Sequence, residues 1–258
     1  MPFIMRCAAA CGAKQAVILE YALAPEHPYP AQLVQCVAAL RYLLHEMAVP
    51  PTDIILAGDS AGGQLVGALL AHLIKPSPYA PALAVDGQFK AAPFVSPFVR
   101  LQTDAGSYES NDGNDYLNRP QVDGFKAAWK GKDDEIWANL CGVKGSCDVW
   151  SKVIAHGRPG LVGKLMITVG TAEIFLDCCR VFAKGHVQAE TVLATRHTDY
   201  GILKDKNVCA GRMRGRGACP GRVGFGGGIP RGCHDTRHHV LACNCVAQGH
   251  LRSHQSQR

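Results

Sequence analysis

A serine in a glycine-rich turn is the residue of this chain with the clearest chemical potential. Ser60 stands within Gly58-Asp59-Ser60-Ala61-Gly62-Gly63. An apolar run at 53–57 leads into this turn, and an apolar-periodic stretch at 64–75 follows it. Strand, sharp turn and helix in that order are typical of a nucleophile elbow. Such an elbow exposes the serine hydroxyl beside a helix N-terminus, where the Ala61 N–H can face a developing oxyanion.

The other residues of the motif are expected to shape the turn. At Gly58 and Gly62 a side chain would collide with the neighbouring strand or helix, so glycine fits both positions. Gly63 completes the motif, and Asp59 is expected to orient the elbow rather than to react. The alternative for Ser60 is a serine in a purely structural turn.

A serine nucleophile needs a base that takes its proton and an acid that orients this base. In enzymes whose nucleophile stands on an elbow of this kind, the order along the chain is serine, acid, histidine. Glu173 fits the acid position, because it directly follows an apolar run at 164–169 and lies far beyond Ser60. Asp177 is the fallback. The alternative for Glu173 is an exposed acid that complements a helix dipole.

The elements around these residues alternate between strand and helix. Apolar runs predict strands, and apolar residues at helical spacing predict helices. The expected strands are 15–21, 53–57, 89–95 and 164–169, and the expected helices are 33–47, 60–75 and 174–184. This alternation predicts an α/β fold in which helices flank a mostly parallel sheet.

A polar insertion separates two of the expected strands. Residues 98–158 contain Asp, Asn, Gly and Tyr clusters and all three tryptophans. An insertion of this size between core strands is typical of a cap or lid over a site. We therefore expect a core domain at 13–208 that carries a cap at 98–158.

The basic charge belongs to the C-terminal tail. Of the 27 Lys+Arg residues, eight arginines lie in 209–258 beside a single acid, Asp235. This segment is rich in Gly, Arg and Cys and shows no periodicity, so disorder is expected. Its arginine clusters lack interleaved aromatics, and its Cys and His spacings match no zinc finger. We expect neither a nucleic-acid partner nor a metal or other cofactor.

The chain contains no feature that directs it to a membrane. No uncharged apolar run reaches the roughly 18 residues of a membrane helix, and residues 1–12 make a weak signal peptide. The twelve cysteines show no secreted-scaffold spacing and are expected to be reduced thiols. The sequence favours a cytoplasmic protein.

Two motifs together resemble a known family. The glycine-rich motif and Tyr21-Ala22-Leu23-Ala24-Pro25-Glu26-His27-Pro28-Tyr29-Pro30 look like the hormone-sensitive-lipase-like branch of the α/β-hydrolases, called alpha/beta hydrolase fold-3. This branch includes fungal steryl-acetate and short-acyl esterases. The resemblance covers about residues 15–208. It implies a serine esterase or lipase of short to medium acyl esters, with Ser60 as nucleophile, the Ala61 N–H as oxyanion donor and Glu173 as acid.

Two parts of the family pattern have no counterpart in the sequence. The His-Gly-Gly-Gly oxyanion loop should precede Tyr21, and the catalytic histidine should lie near 215–220. The nearest histidines are His197 and His234. The expectation is a chain truncated at its N-terminus and divergent or frameshifted after about residue 208. The alternative to an impaired hydrolase is a non-catalytic product or an acyl-binding pseudoenzyme.

Overall fold

A seven-stranded sheet forms the centre of the computed structural model, which describes residues 2–155, 159–194, 208–213 and 238–244. The strands are β1 (Ala13–Leu19), β2 (Ile54–Asp59), β3 (Ala92–Val95), β4 (Leu165–Gly170), β5 (Glu190–Ala194), β6 (Val208–Met213) and β7 (His238–Asn244). Their order across the sheet is β1-β7-β2-β3-β4-β6-β5, and every pair is parallel.

Helices flank this sheet. They are α1 (Pro2–Ala10), α2 (Ala31–Arg41), α3 (Ala61–Ile74), α4 (Ser107–Ser110), α5 (Arg119–Trp129), α6 (Ser146–Ile154) and α7 (Leu176–Val181). A π-helical turn extends α2 over 42–46, and another extends α7 over 182–186. In the described part of the chain, no helix combines the length and apolarity needed to cross a bilayer. The predicted α/β fold with helices on a parallel sheet is confirmed.

The tail differs from the expectation. β6 and β7 fall almost wholly within 209–258, so the prediction of disorder is wrong for these two segments. β7 pairs with both β1 and β2, and β6 pairs with both β4 and β5. An interior strand can hydrogen-bond its backbone N–H and C=O groups to a neighbouring strand on each side. The average composition of fifty residues does not reveal that two short segments within them pair in this way. The rest of the tail lies outside the described residues.

The insertion at 98–158, which the sequence predicts to be a cap, packs directly on α3. Gly67 makes this approach possible, because a Cβ there would lie 2.3 Å from Leu140 Cδ1. The buried Gln64 side chain donates from Nε2 to the Trp137 carbonyl at 2.8 Å. Both contacts join residues 137–140 to α3, the helix that follows Ser60. The insertion is thereby held beside the turn that the sequence singled out.

The Glu135 carboxylate connects the insertion at 98–158 to the proline-rich turn at 22–30. The Tyr29 hydroxyl donates to Glu135 Oε2 at 2.7 Å, and the Tyr79 hydroxyl donates to Glu135 Oε1 at 2.6 Å. Lys132 adds an ion pair at 2.9 Å. These hydrogen bonds lower the pKa of Glu135 although its partial desolvation opposes them. Because hydrogen bonds to an ionised group are stronger than neutral ones, this cluster anchors the cap firmly.

Candidate active site

Ser60 occupies the tip of the turn between β2 and α3. Its backbone has φ 53° and ψ −115°, a conformation that non-glycine residues rarely adopt and that costs about 1–3 kcal/mol. Its N–H donates to the Val95 carbonyl at 2.8 Å. Its carbonyl accepts from the N–H groups of Gln64 at 3.0 Å and Phe98 at 3.1 Å. Three hydrogen bonds from three elements thus hold the strained residue in place.

Two glycines permit the tight crossing of strand and helix. A Cβ on Gly58 would lie 2.2 Å from the Gly62 carbonyl oxygen, and a Cβ on Gly63 would lie 2.9 Å from Pro97 Cβ. The first contact is with backbone, which cannot rotate away. Gly62 contributes the backbone that any side chain at Gly58 would strike.

The N-terminus of α3 is open to a ligand. The first hydrogen bond of its ladder runs from Gln64 N–H to the Ser60 carbonyl, so the amides of residues 61–63 lie outside that ladder. The Ser60 hydroxyl does not cap the helix. Ser60 is half-buried and Ala61 is exposed. The hydroxyl and the neighbouring N–H groups can therefore both face a bound carbonyl carbon and its oxygen.

Glu173 lies in the loop that follows β4. Desolvation raises its pKa above the usual value. A hydrogen bond from the Ser96 hydroxyl and one from Gly170 N–H, at 2.9 Å to Oε1, oppose that rise. The negative charges of Asp115 and Asp59 add to it. This is a half-buried carboxylate with partners, not the exposed helix-end acid of the alternative interpretation.

Ser60 and Glu173 share one edge of the sheet. Ser60 follows β2, Ser96 follows β3 and Glu173 comes shortly after β4, and these three parallel strands are adjacent. Asp59, the last residue of β2, pairs with Val95 of β3. Partial burial raises the pKa of the Asp59 carboxyl, although the residue as a whole is exposed. The strand order thus brings the two predicted groups to the same edge of the sheet.

Asp177 has a different environment. It stands in the first turn of α7, where its carboxylate forms an ion pair with Arg180. Its N–H donates to Ser107 Oγ at 3.1 Å, and its Oδ2 lies 3.5 Å from the position of a Cβ on Gly106. The ion pair with Arg180 occupies the Asp177 carboxylate, whereas the Glu173 carboxylate hydrogen-bonds Ser96 at the edge where Ser60 lies. The geometry favours Glu173 over Asp177 as the acid.

Two histidines of the described core, His72 and His186, have side-chain partners elsewhere. His72 is buried in α3, accepts from Ser77 N–H at 3.0 Å and lies 3.1 Å from the Pro81 carbonyl. His186 lies 2.9 Å from Ser146 Oγ. Within residues 2–155 and 159–194, no hydrogen bond joins a histidine to Ser60 or Glu173. His197, His234 and positions 215–220 lie outside the described residues, so the base is not located.

No metal centre is formed by the described residues, since no three His, Cys, Asp or Glu side chains there gather around a common point. The side chains of the tail cysteines and histidines are not among those described. The expectation that these residues bind no zinc stays a prediction.

The raised pKa of Glu173 has a consequence for stability. Its folded pKa exceeds the ordinary 4.5, so the stabilising contribution is complete below about pH 4.5 and is lost as pH rises through the folded pKa. We expect Glu173→Gln to unfold at higher urea concentration than the wild type at pH 8. The gain is about 1.4 kcal/mol for each unit of pKa shift, and it disappears near pH 4.

Urea unfolding at both pH values measures this difference. Asp177→Asn is the matched control, because its carboxylate is ion-paired with Arg180 on a partly exposed surface and such pairs contribute about 0–1 kcal/mol. A Glu173→Gln midpoint at or below that of the wild type at pH 8 contradicts the desolvation of this carboxylate.

Sequence reasoning missed two residues of the site. Ser96 directly follows β3 with φ 43° and hydrogen-bonds Glu173, and Asp115 accepts a hydrogen bond from Ile174 N–H. The Ser96-Pro97 pair after an apolar run marks the end of a strand at the same edge as Ser60, and this signal could have identified Ser96. Asp115 stands in a polar segment with no pattern that singles it out.

Comparison with known proteins places the chain among hydrolases. A family model described as alpha/beta hydrolase fold matches residues 2–198. An acetyl-hydrolase of Streptomyces hygroscopicus is 36% identical over 173 residues, which is 67% of this chain and 51% of that protein. A carboxylesterase of Mycobacterium tuberculosis is 44% identical over 70 residues, which is 26% of this chain and 22% of that protein.

The fold also matches solved structures. The crystal structure of an esterase from the bacterial hormone-sensitive lipase family superposes with a TM-score of 0.53 at 26% identity. The match covers 76% of this chain and 54% of that one. The chain therefore spans about half the length of the first relatives that it matches.

Proposed function

The chain belongs to the alpha/beta hydrolase fold-3 family, and from this premise we propose that it derives from a serine carboxylic-ester hydrolase and retains its nucleophile. The observation that carries the proposal is the backbone of Ser60. A non-glycine residue at φ 53° is held there by three hydrogen bonds, and its hydroxyl is not used by the helix that follows. Strain of this kind persists only where the surrounding structure enforces it, and it clusters at functional sites.

Each neighbouring group has a role in the proposed reaction. The Ser60 oxygen attacks the acyl carbon, and the Ala61 N–H stabilises the oxyanion of the tetrahedral intermediate. A histidine takes the serine proton and returns it to the leaving alcohol, and Glu173 orients this histidine. The desolvated Glu173 carboxylate suits that role, since an imidazolium partner relieves the burial of its charge.

The proposed substrates are small esters with short to medium acyl chains. One of the two residues that donate an N–H to the Ser60 carbonyl is Phe98, whose half-buried ring packs on Phe175 at 5.4 Å between centroids. An apolar surface next to the nucleophile favours acyl or alcohol groups without charge. The related acetyl-hydrolase of Streptomyces hygroscopicus supports the short-acyl end of this range.

We further propose that the chain is impaired as a catalyst. In the described part of the core no histidine reaches Ser60, and the sequence holds no His-Gly-Gly-Gly segment as a second oxyanion element. The same observation favours the second candidate, a non-catalytic product of the family that binds acyl compounds. The reactivity of Ser60 separates the two.

A fluorophosphonate probe, which modifies activated serines, tests the nucleophile. We expect slow labelling of the full chain, with the label recovered on the peptide that contains Ser60 by mass spectrometry. Ser60→Ala should abolish labelling, whereas Ser151→Ala, an exposed serine of α6, should leave the rate unchanged. Labelling that survives in Ser60→Ala excludes Ser60 as the nucleophile. A folded chain that takes no label supports the non-catalytic product.

A further inference from the structure

A short segment of the cap lies against the loop that carries Glu173. We name residues 107–115 the latch and residues 171–177 the acid loop. The two are connected by side-chain hydrogen bonds from the latch to the backbone of the acid loop, in addition to apolar packing. Between 59 and 70 residues separate each pair of partners along the chain. The contact is therefore made by the fold and not by local sequence.

Ser107 supplies the first connection. Its hydroxyl donates to the Ile174 carbonyl at 2.6 Å and accepts from Asp177 N–H at 3.1 Å. The residue is 1% exposed, so no water replaces these bonds if the hydroxyl is removed. Its neighbour Tyr108 is 2% exposed and packs edge-on against Phe175 with 6.3 Å between ring centroids.

Asn111 and Asp115 supply the second and third connections. Asn111 Nδ2 donates to the Glu173 carbonyl at 2.8 Å and to the Thr171 carbonyl at 3.3 Å. Ile174 N–H donates to Asp115 Oδ2 at 2.9 Å. The backbone on both sides of the Glu173 side chain is therefore fixed by the latch. Turn bonds add to this, such as Glu173 N–H to the Gly170 carbonyl at 3.3 Å.

We propose that the latch positions the acid: Ser107, Asn111 and Asp115 fix the Glu173 carboxylate relative to Ser60, and a displacement of the cap displaces that carboxylate. The inference rests on the proposed function only in taking Glu173 as the acid. The cap then positions a catalytic group in addition to covering the site. Binding of a substrate against the cap would then alter the acid as well as the access to Ser60.

The charges around Glu173 give the inference a measurable signature. Asp115 from the latch and Asp59 from β2 both raise the pKa of Glu173, and the buried thiol of Cys179 from α7 also lies near it. Asp115→Asn keeps an oxygen that can accept from Ile174 N–H and removes the charge. We expect the Glu173 carboxyl to titrate at lower pH in this variant. Carbon NMR of glutamate-labelled full-length chain measures the titration, and Glu173→Gln identifies the resonance.

Two other variants test the connection through the backbone. In Ser107→Ala and Asn111→Ala we expect amide hydrogen exchange of the acid loop to rise by about tenfold or more, with a changed Glu173 titration. Asp112→Asn is the matched control, since Asp112 is an exposed carboxylate of the same segment, and both readouts should stay at wild-type values.

The outcomes separate the inference from the function. Unchanged exchange and titration in all three latch variants overturn the positioning role, whether or not Ser60 reacts. Faster exchange of the acid loop and a shifted Glu173 titration in Asn111→Ala, with Ser60 unreactive towards fluorophosphonate, support the latch and contradict the proposed function. If Ser107→Ala fails to fold, Asn111→Ala decides alone, because it removes two hydrogen bonds to the acid loop without a change of charge.

Discussion

The purified 258-residue chain is expected to hydrolyse p-nitrophenyl acetate and butyrate at least about 10³-fold more slowly than a full-length esterase of the family. The physical reason is the proton of Ser60. A neutral serine hydroxyl is a weak nucleophile, and without an adjacent base it must release its proton to water. The residual turnover should still depend on Ser60, because the Ala61 N–H and the apolar surface around Phe98 remain.

Added imidazole provides the sharpest test of this expectation. If the nucleophile and Glu173 are present but the base is not in place, imidazole can bind beside them and take the serine proton. We expect the turnover of the wild type to rise with imidazole concentration and to saturate. Ser60→Ala, assayed at the same concentrations, measures the hydrolysis that imidazole performs by itself.

Glu173→Gln separates rescue from a general solvent effect. A carboxylate that orients and stabilises the bound imidazolium makes the rescue more efficient, so this variant should show a smaller increase. Asp177→Asn should respond like the wild type, since its carboxylate is paired with Arg180. Turnover at the family rate without imidazole contradicts the prediction and shows that the chain supplies its own base.

The elbow could be predicted from the sequence because its determinants are local. An apolar run, two glycines that must approach each other's backbone and a periodic helix lie within about twenty residues of Ser60. Each of these features acts on its nearest neighbours in the chain. Glu173 could be predicted for a related reason: in a parallel sheet, whatever follows a strand must lie at the same edge.

Other features depend on which distant segments meet, and local pattern does not determine this. The latch joins Ser107 to Ile174, and nothing in the composition of either segment identifies the other. β7 pairs with β1 and β2 although it comes from a segment whose average composition is that of a disordered chain. The His-Gly-Gly-Gly loop and the histidine remain expectations from the resemblance, since the described residues contain neither.

The tight turn at Ser60 requires glycine beside it, because β2 and α3 approach each other too closely for a side chain. We expect Gly58→Ala to lower the free energy of unfolding by about 3 kcal/mol or more, at or beyond the upper end of overpacking effects. The added methyl would lie 2.2 Å from the Gly62 carbonyl oxygen and 2.6 Å from the Gly63 nitrogen. Both are backbone atoms, so relief requires that β2 and α3 move apart.

Urea unfolding of Gly58→Ala beside Gly124→Ala tests this argument. A Cβ on Gly124, in the interior of α5, meets no atom within 4 Å, and alanine there should stabilise the helix by about 0.5–1 kcal/mol. The same chemical change should thus have opposite effects at the two sites. In Gly58→Ala the Ser60 N–H, which donates to Val95, should also exchange faster because the turn can no longer close. A Gly58→Ala midpoint equal to that of the wild type contradicts the close approach of strand and helix at the Ser60 turn.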